Sequence, residues 1–192
     1  MGVQPIQGLA QSLYACGASL QRLFVYSIAL TPSDVAQMGF EKMPHLQHLA
    51  LSLDLDDRVI RTHLWDVLPQ LVGLEMWCDM SHECCQHLNN QCQSLQHLIV
   101  HGSRSMHELN LCAQAPRTLQ KLTIDACFLA DISLSSSVLT HLVVSNCPQL
   151  TGLHISECPL LSKVESLNCP KLKGIGRARE AGKIEWLNRV TA

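Results

Sequence analysis

The chain has 192 residues, 47 % hydrophobic and 16 % charged, enough apolar material for one buried core and too much for a disordered chain. Its net charge of −2 excludes the dense Lys/Arg field that sequence-independent nucleic-acid binding requires. No run of about eighteen apolar residues is present to span a bilayer, and residues 1–11 lack the basic start and apolar stretch of a secretion signal; the expectation is a soluble protein of the cytoplasm or nucleus.

In chain order, residues 4–16 suit a helix, and a strand motif of the form Leu-x-x-Leu-x-apolar follows at Leu20, Leu23 and Val25. A second helix-compatible stretch, 33–42, precedes the same motif at Leu46, Leu49 and Leu51. Stretches 57–68 and 81–93 precede it again at Leu71, Leu74 and Met76 and at Leu95, Leu98 and Val100. In 57–68 the apolar residues Val59, Ile60, Leu64, Val67 and Leu68 fall on one helical side, and Ser33 and Ser81 are candidate N-caps. The motif returns at Leu119, Leu122 and Ile124, then at Leu139, Leu142 and Val144, and at Leu150, Leu153 and Ile155. Apolar positions two apart within each motif are the period of a strand with one buried face. Strand and helix repeated every 24–26 residues predict a curved ladder, strands on its concave side and helices outside.

From Leu139 the chain reads LTHLVVSNCPQ, LTGLHISECPL and LSKVESLNCPK, three segments of 11 residues in register. Eleven residues cannot hold a strand, a turn and a helix, so two segments are read as one 22-residue coil whose convex side is extended. Ser166 stands where the third segment should be apolar, which predicts fraying there. Ala181, Ile184, Leu187 and Val190 are spaced for one helix face, so residues 177–192 are expected to form a tail whose helix caps a repeat domain of residues 1–176.

LQHLIVHGS, LTHLVVSNCPQLTGLHISECP and SHECCQHLNNQCQSLQHL resemble cysteine-containing leucine-rich repeats, as in F-box leucine-rich-repeat proteins, over residues 4–175. The resemblance implies an α/β leucine-rich-repeat solenoid, with strand-helix repeats in the N-terminal half and short β-type repeats in the C-terminal half. It also implies a protein-protein interaction module, the substrate-recognition part of a cullin-type ubiquitin ligase, with ligase components as partners. No F-box-like segment occurs in the sequence, so only the recognition half carries over. The alternative is a structural repeat segment that stacks within a larger leucine-rich-repeat protein, without a ligase role.

Candidate chemistry is sparse. Without a signal or a glycosylation sequon, the ten cysteines read as free thiols of a reducing compartment. Cys127, Cys147, Cys158 and Cys169 each lie eight residues after the first Leu of their unit, where a small side chain closes the turn after a strand. Cys84, Cys85 and Cys92 with His82 and His87 lack the paired spacing of a zinc site and read as a buried helix stripe flanked by polar histidines. There is no nucleophile elbow, phosphate-cradling glycine loop or facing carboxylate pair, so neither an enzyme nor a cofactor is expected. If the motif leucines point inward, Phe24, Tyr26, Ser52, Glu75, Trp77, Ile99 and His101 point to the concave face as candidate protein-binding residues. Tyr26 and Trp77 are expected in one column with small Ser52 between them, leaving a slot for a partner's side chain.

Overall fold

Helix α1 (Ile6–Cys16) leads through a 3-10 turn, Gly17–Ser19, into strand β1 (Arg22–Tyr26). Helix α2 (Pro32–Gln37) and a second 3-10 turn, Phe40–Lys42, carry the chain to β2 (His48–Leu55). A third turn, Leu68–Gln70, precedes β3 (Gly73–Cys78), and a helical turn over 88–91 precedes β4 (His97–His101). Strands then follow closely: β5 (Glu108–Leu111), β6 (Lys121–Asp125), β7 (Asp131–Ser135), β8 (His141–Ser145), β9 (Gly152–Ser156), β10 (Lys163–Leu167), β11 (Gly176–Arg177) and β12 (Glu185–Arg189). The computed structural model describes residues 6–26, 32–55, 64, 67–78, 88–102, 108–111, 117–177 and 184–189.

These strands form a parallel β-solenoid of two sheets. The larger has the order β1-β2-β3-β4-β6-β8-β10-β12, the smaller β11-β9-β7-β5, and every pairing is parallel. The motif leucines stack in register across the larger sheet: Leu23, Leu49, Leu74, Leu98, Leu122, Leu142 and Val164, all buried, with Trp186 at the end. A second buried column runs Val25, Leu51, Met76, Val100, Ile124 and Val144. From the other side Leu109, Ile132, Leu134, Leu153 and Ile155 of the smaller sheet join the same core. Each buried side chain of this kind contributes about 1.5–3 kcal/mol of apolar transfer, so the ladder is held by its columns.

The 22-residue coil is as expected: Lys163 pairs with His141, and β9 between them supplies the extended convex side. Leu153 and Ile155, counted in the sequence with the same ladder, thus belong to the second sheet. Of the helix expected over 4–16, the described residues 6–16 form α1, and within 33–42 the chain forms α2 and its 3-10 turn. The helices expected over 57–68 and 81–93 fall mostly outside the described residues, and so does Ser81. Ser33 is not an N-cap, since it lies inside α2, where its hydroxyl accepts from Gln37 at 3.3 Å.

Two expectations about the C-terminus are corrected. The ladder does not fray at Ser166, because β10 pairs with β8 on one side and β12 on the other, and the buried hydroxyl accepts a hydrogen bond from the Trp186 indole at 3.2 Å. Nor does the described part of the tail form a helix: Glu185–Arg189 is a strand. An unpaired β10 edge offers backbone partners that a docked helix cannot use, and the Glu185 amide donates to the Ser162 carbonyl at 2.9 Å. Glu185 stands 22 residues after its partner Lys163, as Lys163 stands after His141, so the repeat period continues into the tail.

The turns after the strands share one design. Ala126, Asn146, Glu157 and Asn168 have φ of 54°, 52°, 49° and 55°, and each is followed by a buried cysteine. The Cys127, Cys147, Cys158 and Cys169 thiols donate to the carbonyls of Asp125, Ser145, Ser156 and Leu167 at 3.2–3.4 Å. The left-handed residue turns its own amide to the neighbouring rung: Ala126 N–H reaches Ser145 O at 2.9 Å and Asn146 N–H reaches Leu167 O at 2.8 Å. Hydrogen bonding with Cys169, then burial, pushes the Cys147 thiol up, so it stays protonated.

Candidate protein-binding face

The outward residues of the larger sheet form three columns set by strand phase. The column at the strand starts runs Arg22, His48, Gly73, His97, Lys121, His141 and Lys163. The middle column runs Phe24, Ala50, Glu75, Ile99, Thr123, Val143 and Glu165. At the strand ends Trp77, His101, Asp125, Ser145 and Leu167 align, with Tyr26 opposite Ser52 on the first two rungs.

Ser52 does not stand between Tyr26 and Trp77. The β2–β3 register jumps from the pair Leu51 and Met76 to the pair Asp54 and Trp77, so Ser52 and Leu53 form a bulge. The Ser52 side chain lies outside the described residues. The expected slot is closed by the rings themselves: Tyr26 meets Trp77 edge to face at 5.7 Å, and Trp77 stacks on His101 at 4.2 Å with 16° between planes.

Beneath these rings a hydrogen-bonded chain crosses the rungs. The Tyr26 hydroxyl donates to Glu75 Oε2 at 3.3 Å, and the other Glu75 oxygen lies 3.1 Å from His101 Nε2. His101 Nδ1 lies 3.0 Å from Asp125 Oδ2. Asp125 Oδ1 accepts from Ser145 Oγ at 2.6 Å and from Asn146 Nδ2 at 2.9 Å, and Asn146 Oδ1 accepts from Asn168 at 3.0 Å. Burial works against the Asp125 charge, but the hydrogen bonds from Ser145, Asn146 and His101, with the attraction of His101, hold its carboxyl below the usual range. Partial burial, then the charge and hydrogen bond of Glu75, raise the Tyr26 phenol.

This hydrogen-bonded network fixes side chains: both nitrogens of His101 face carboxylates, and the nearby Ser145 hydroxyl donates to Asp125 rather than to an imidazole. Among the described residues no cluster of three or more His, Cys, Asp or Glu is arranged for a metal ion. His82, Cys84, Cys85 and His87 lie outside the described residues, and Cys92 is buried in the core.

Of the residues singled out in the sequence, Tyr26, Glu75, Trp77 and His101 come together as one cluster. Phe24, 54 % exposed, and Ile99 line a separate hollow of about 180 Å³ with His48, Gly73 and His97, on which Glu75 also borders. That volume suits one or two side chains and is below the size of a cofactor pocket. Gly73 makes the hollow possible: a Cβ there would stand 2.5 Å from His48 Nδ1. Asp125 and Ser145, which the strand phase places among the outward polar residues of the later rungs, and Asn146, not picked out in the sequence, complete the cluster.

Fold and face together define a repeat protein of the parallel β-solenoid class with one broad, polar and aromatic sheet surface. Comparison with protein-family models, with curated proteins and with solved structures gives no match for the chain.

Proposed function

We propose that the protein is a non-enzymatic interaction module that binds a partner protein across the larger sheet. The observation that carries this reading is the aromatic cluster Tyr26–Trp77–His101, held from below by Glu75 and Asp125 while Tyr26 stays 60 % exposed. Interface anchors are typically aromatic side chains whose rotamers are set before the partner arrives, because less ordering entropy then remains to be lost on binding. Affinity capture with mass spectrometry, followed by binding measurements on Tyr26→Ala and Trp77→Ala, tests it. At least tenfold weaker binding by folded variants is expected; undiminished binding by both removes the cluster from the interface.

The resemblance to cysteine-containing leucine-rich repeats gives the reading a finer form: substrate recognition for a cullin-type ubiquitin ligase in cytoplasm or nucleus. Recovery of cullin components in the same capture supports that form. A second reading, stacking against further repeats, draws on Ile184 and Trp186, which are only partly buried at the last described rung. It predicts that Trp186→Ala changes assembly with neighbouring repeats while leaving capture of other proteins intact.

A further inference from the structure

The larger sheet is electrically lopsided. Its strand-start column carries Arg22, His48, His97, Lys121 and His141 and meets an acid only at Glu185 on the last rung, whereas Glu75 lies in the middle column and Asp125 at the strand ends. Those two carboxylates are occupied by Tyr26, His101, Ser145 and Asn146. Lys163 is paired with Glu165 at 2.6 Å. Arg22, His48, His97 and Lys121 make no ion pair with another described residue, and Arg22, His97 and Lys121 are exposed. Members of the column on successive rungs are spaced at about 4.8 Å, so these four span roughly 19 Å along the ladder.

Resting on the interaction reading above, we infer that this column binds an extended acidic segment of a partner protein, one apolar side chain of which enters the hollow beside Gly73. The hollow opens between the basic groups, with His48 and His97 on its flanks and Phe24 and Ile99 as apolar walls. Glu75 borders it, but both carboxylate oxygens are bonded toward Tyr26 and His101, away from the column. A peptide carries its few carboxylates within such a span and leaves the strand-end acids unopposed. A nucleic acid would bring its phosphates against Glu75, Asp125 and Glu165 on the same face, with only Arg22 and Lys121, among the described side chains of that face, as permanent unpaired cations to offset them. Burial, then the charges of Arg22 and His97, lower the His48 pKa, and an incoming carboxylate reverses that balance. Binding therefore strengthens as pH falls and His48 takes up a proton.

The test uses the full chain and three fluorescein-labelled probes: a nine-residue peptide of glutamates around a central leucine, its lysine counterpart, and a single-stranded oligonucleotide. Anisotropy should show the glutamate peptide binding at least tenfold more tightly than the lysine peptide, with severalfold gain from pH 7.5 to 6. His97→Ala with Lys121→Ala should cost about tenfold, and Arg22→Gln severalfold, while Lys171→Ala, in the exposed turn after β10, should have no effect. Replacing the central leucine by glycine should weaken binding at least threefold. Equal binding of the two peptides, no loss in the column variants, or tighter binding of the oligonucleotide overturns the inference. The column variants are then tried against the captured partner. If they bind it normally while Trp77→Ala does not, the acidic-segment assignment fails and the interaction reading stands; if none loses binding, both fail.

Discussion

From β1 to β4 each coil takes 24 to 26 residues and returns in part through helical turns, whereas the coil from β8 to β10 takes 22 and returns through the second sheet. The contrast is one of arithmetic. A helix rises about 1.5 Å per residue and a strand about 3.3 Å, so a short convex side crosses the same path only if it is extended. Extended backbone then needs partners, and β5, β7, β9 and β11 supply them to one another. The shortest coils thus take an extended outer side, the 24-residue coil from β4 to β6 does so as well through β5, and the inner sheet continues unchanged. The turns differ accordingly: after β4 a glycine, Gly102 with φ 67°, takes the left-handed place, and its amide reaches Asp125 O at 2.9 Å. In the later rungs Ala126, Asn146 and Asn168 hold that place with cysteine behind them.

If the two-sheet half is the better-braced one, truncation should hurt most there. Leu142→Ala, buried between rungs and under the second sheet, is expected to cost roughly 2–5 kcal/mol in urea unfolding. Leu23→Ala, with a single neighbouring rung in the sheet, should cost less; an equal loss would break the comparison. The turn chemistry sharpens it. Cys147→Ser puts a stronger polar group into a fully buried site and should cost about 1–3 kcal/mol, while Cys16→Ser, exposed at the end of α1, should fall within about 0.5 kcal/mol of zero. Ala126→Asn should stabilise by up to about 1 kcal/mol, because asparagine tolerates the left-handed conformation that Asn146 and Asn168 adopt in the same turn column. Unchanged or lower melting temperature would show that this position is not strained.

The smallest effect concerns the network that joins the two halves. Asp125 has a folded pKa below its usual 3.8, so its contribution to stability is complete above that value and is lost as pH falls through the lower, folded one. Asp125→Asn should therefore narrow the gap between melting temperatures measured at pH 6 and pH 2.5. A gap as wide as in the parent protein would assign the acid sensitivity to other carboxylates.

The ladder itself was readable because one leucine column repeats at nearly constant phase, and the 22-residue coil because two 11-residue segments share their Cys-Pro turns. Strands β5 and β7 were not anticipated: their alternations, Leu109 with Leu111 and Ile132 with Leu134, are too short to stand out without a partner strand. The tail was misread because Ala181, Ile184, Leu187 and Val190 satisfy a helical spacing, while the competing signal, a strand start 22 residues after Lys163, is visible only when the period is carried forward. On the face, the outward direction of Glu75, Trp77 and His101 followed from phase. Their contacts did not, since Glu75 and His101 meet diagonally across rungs, and a two-residue bulge in β2 changes which residues stand opposite Trp77.

The steps from His141 to Lys163 and from Lys163 to Glu185 are both 22 residues with unbroken register, which makes the coil a unit of length. A duplicate of residues 141–162 spliced in after residue 162 would meet the β10 coil on one side as its original does and the original itself on the other, adding one strand to each sheet and about 4.8 Å to the stack. Growth of such a molecule is a matter of copying, and its reach toward a partner can be changed by tandem duplication at the cost of one new self-contact between the copies.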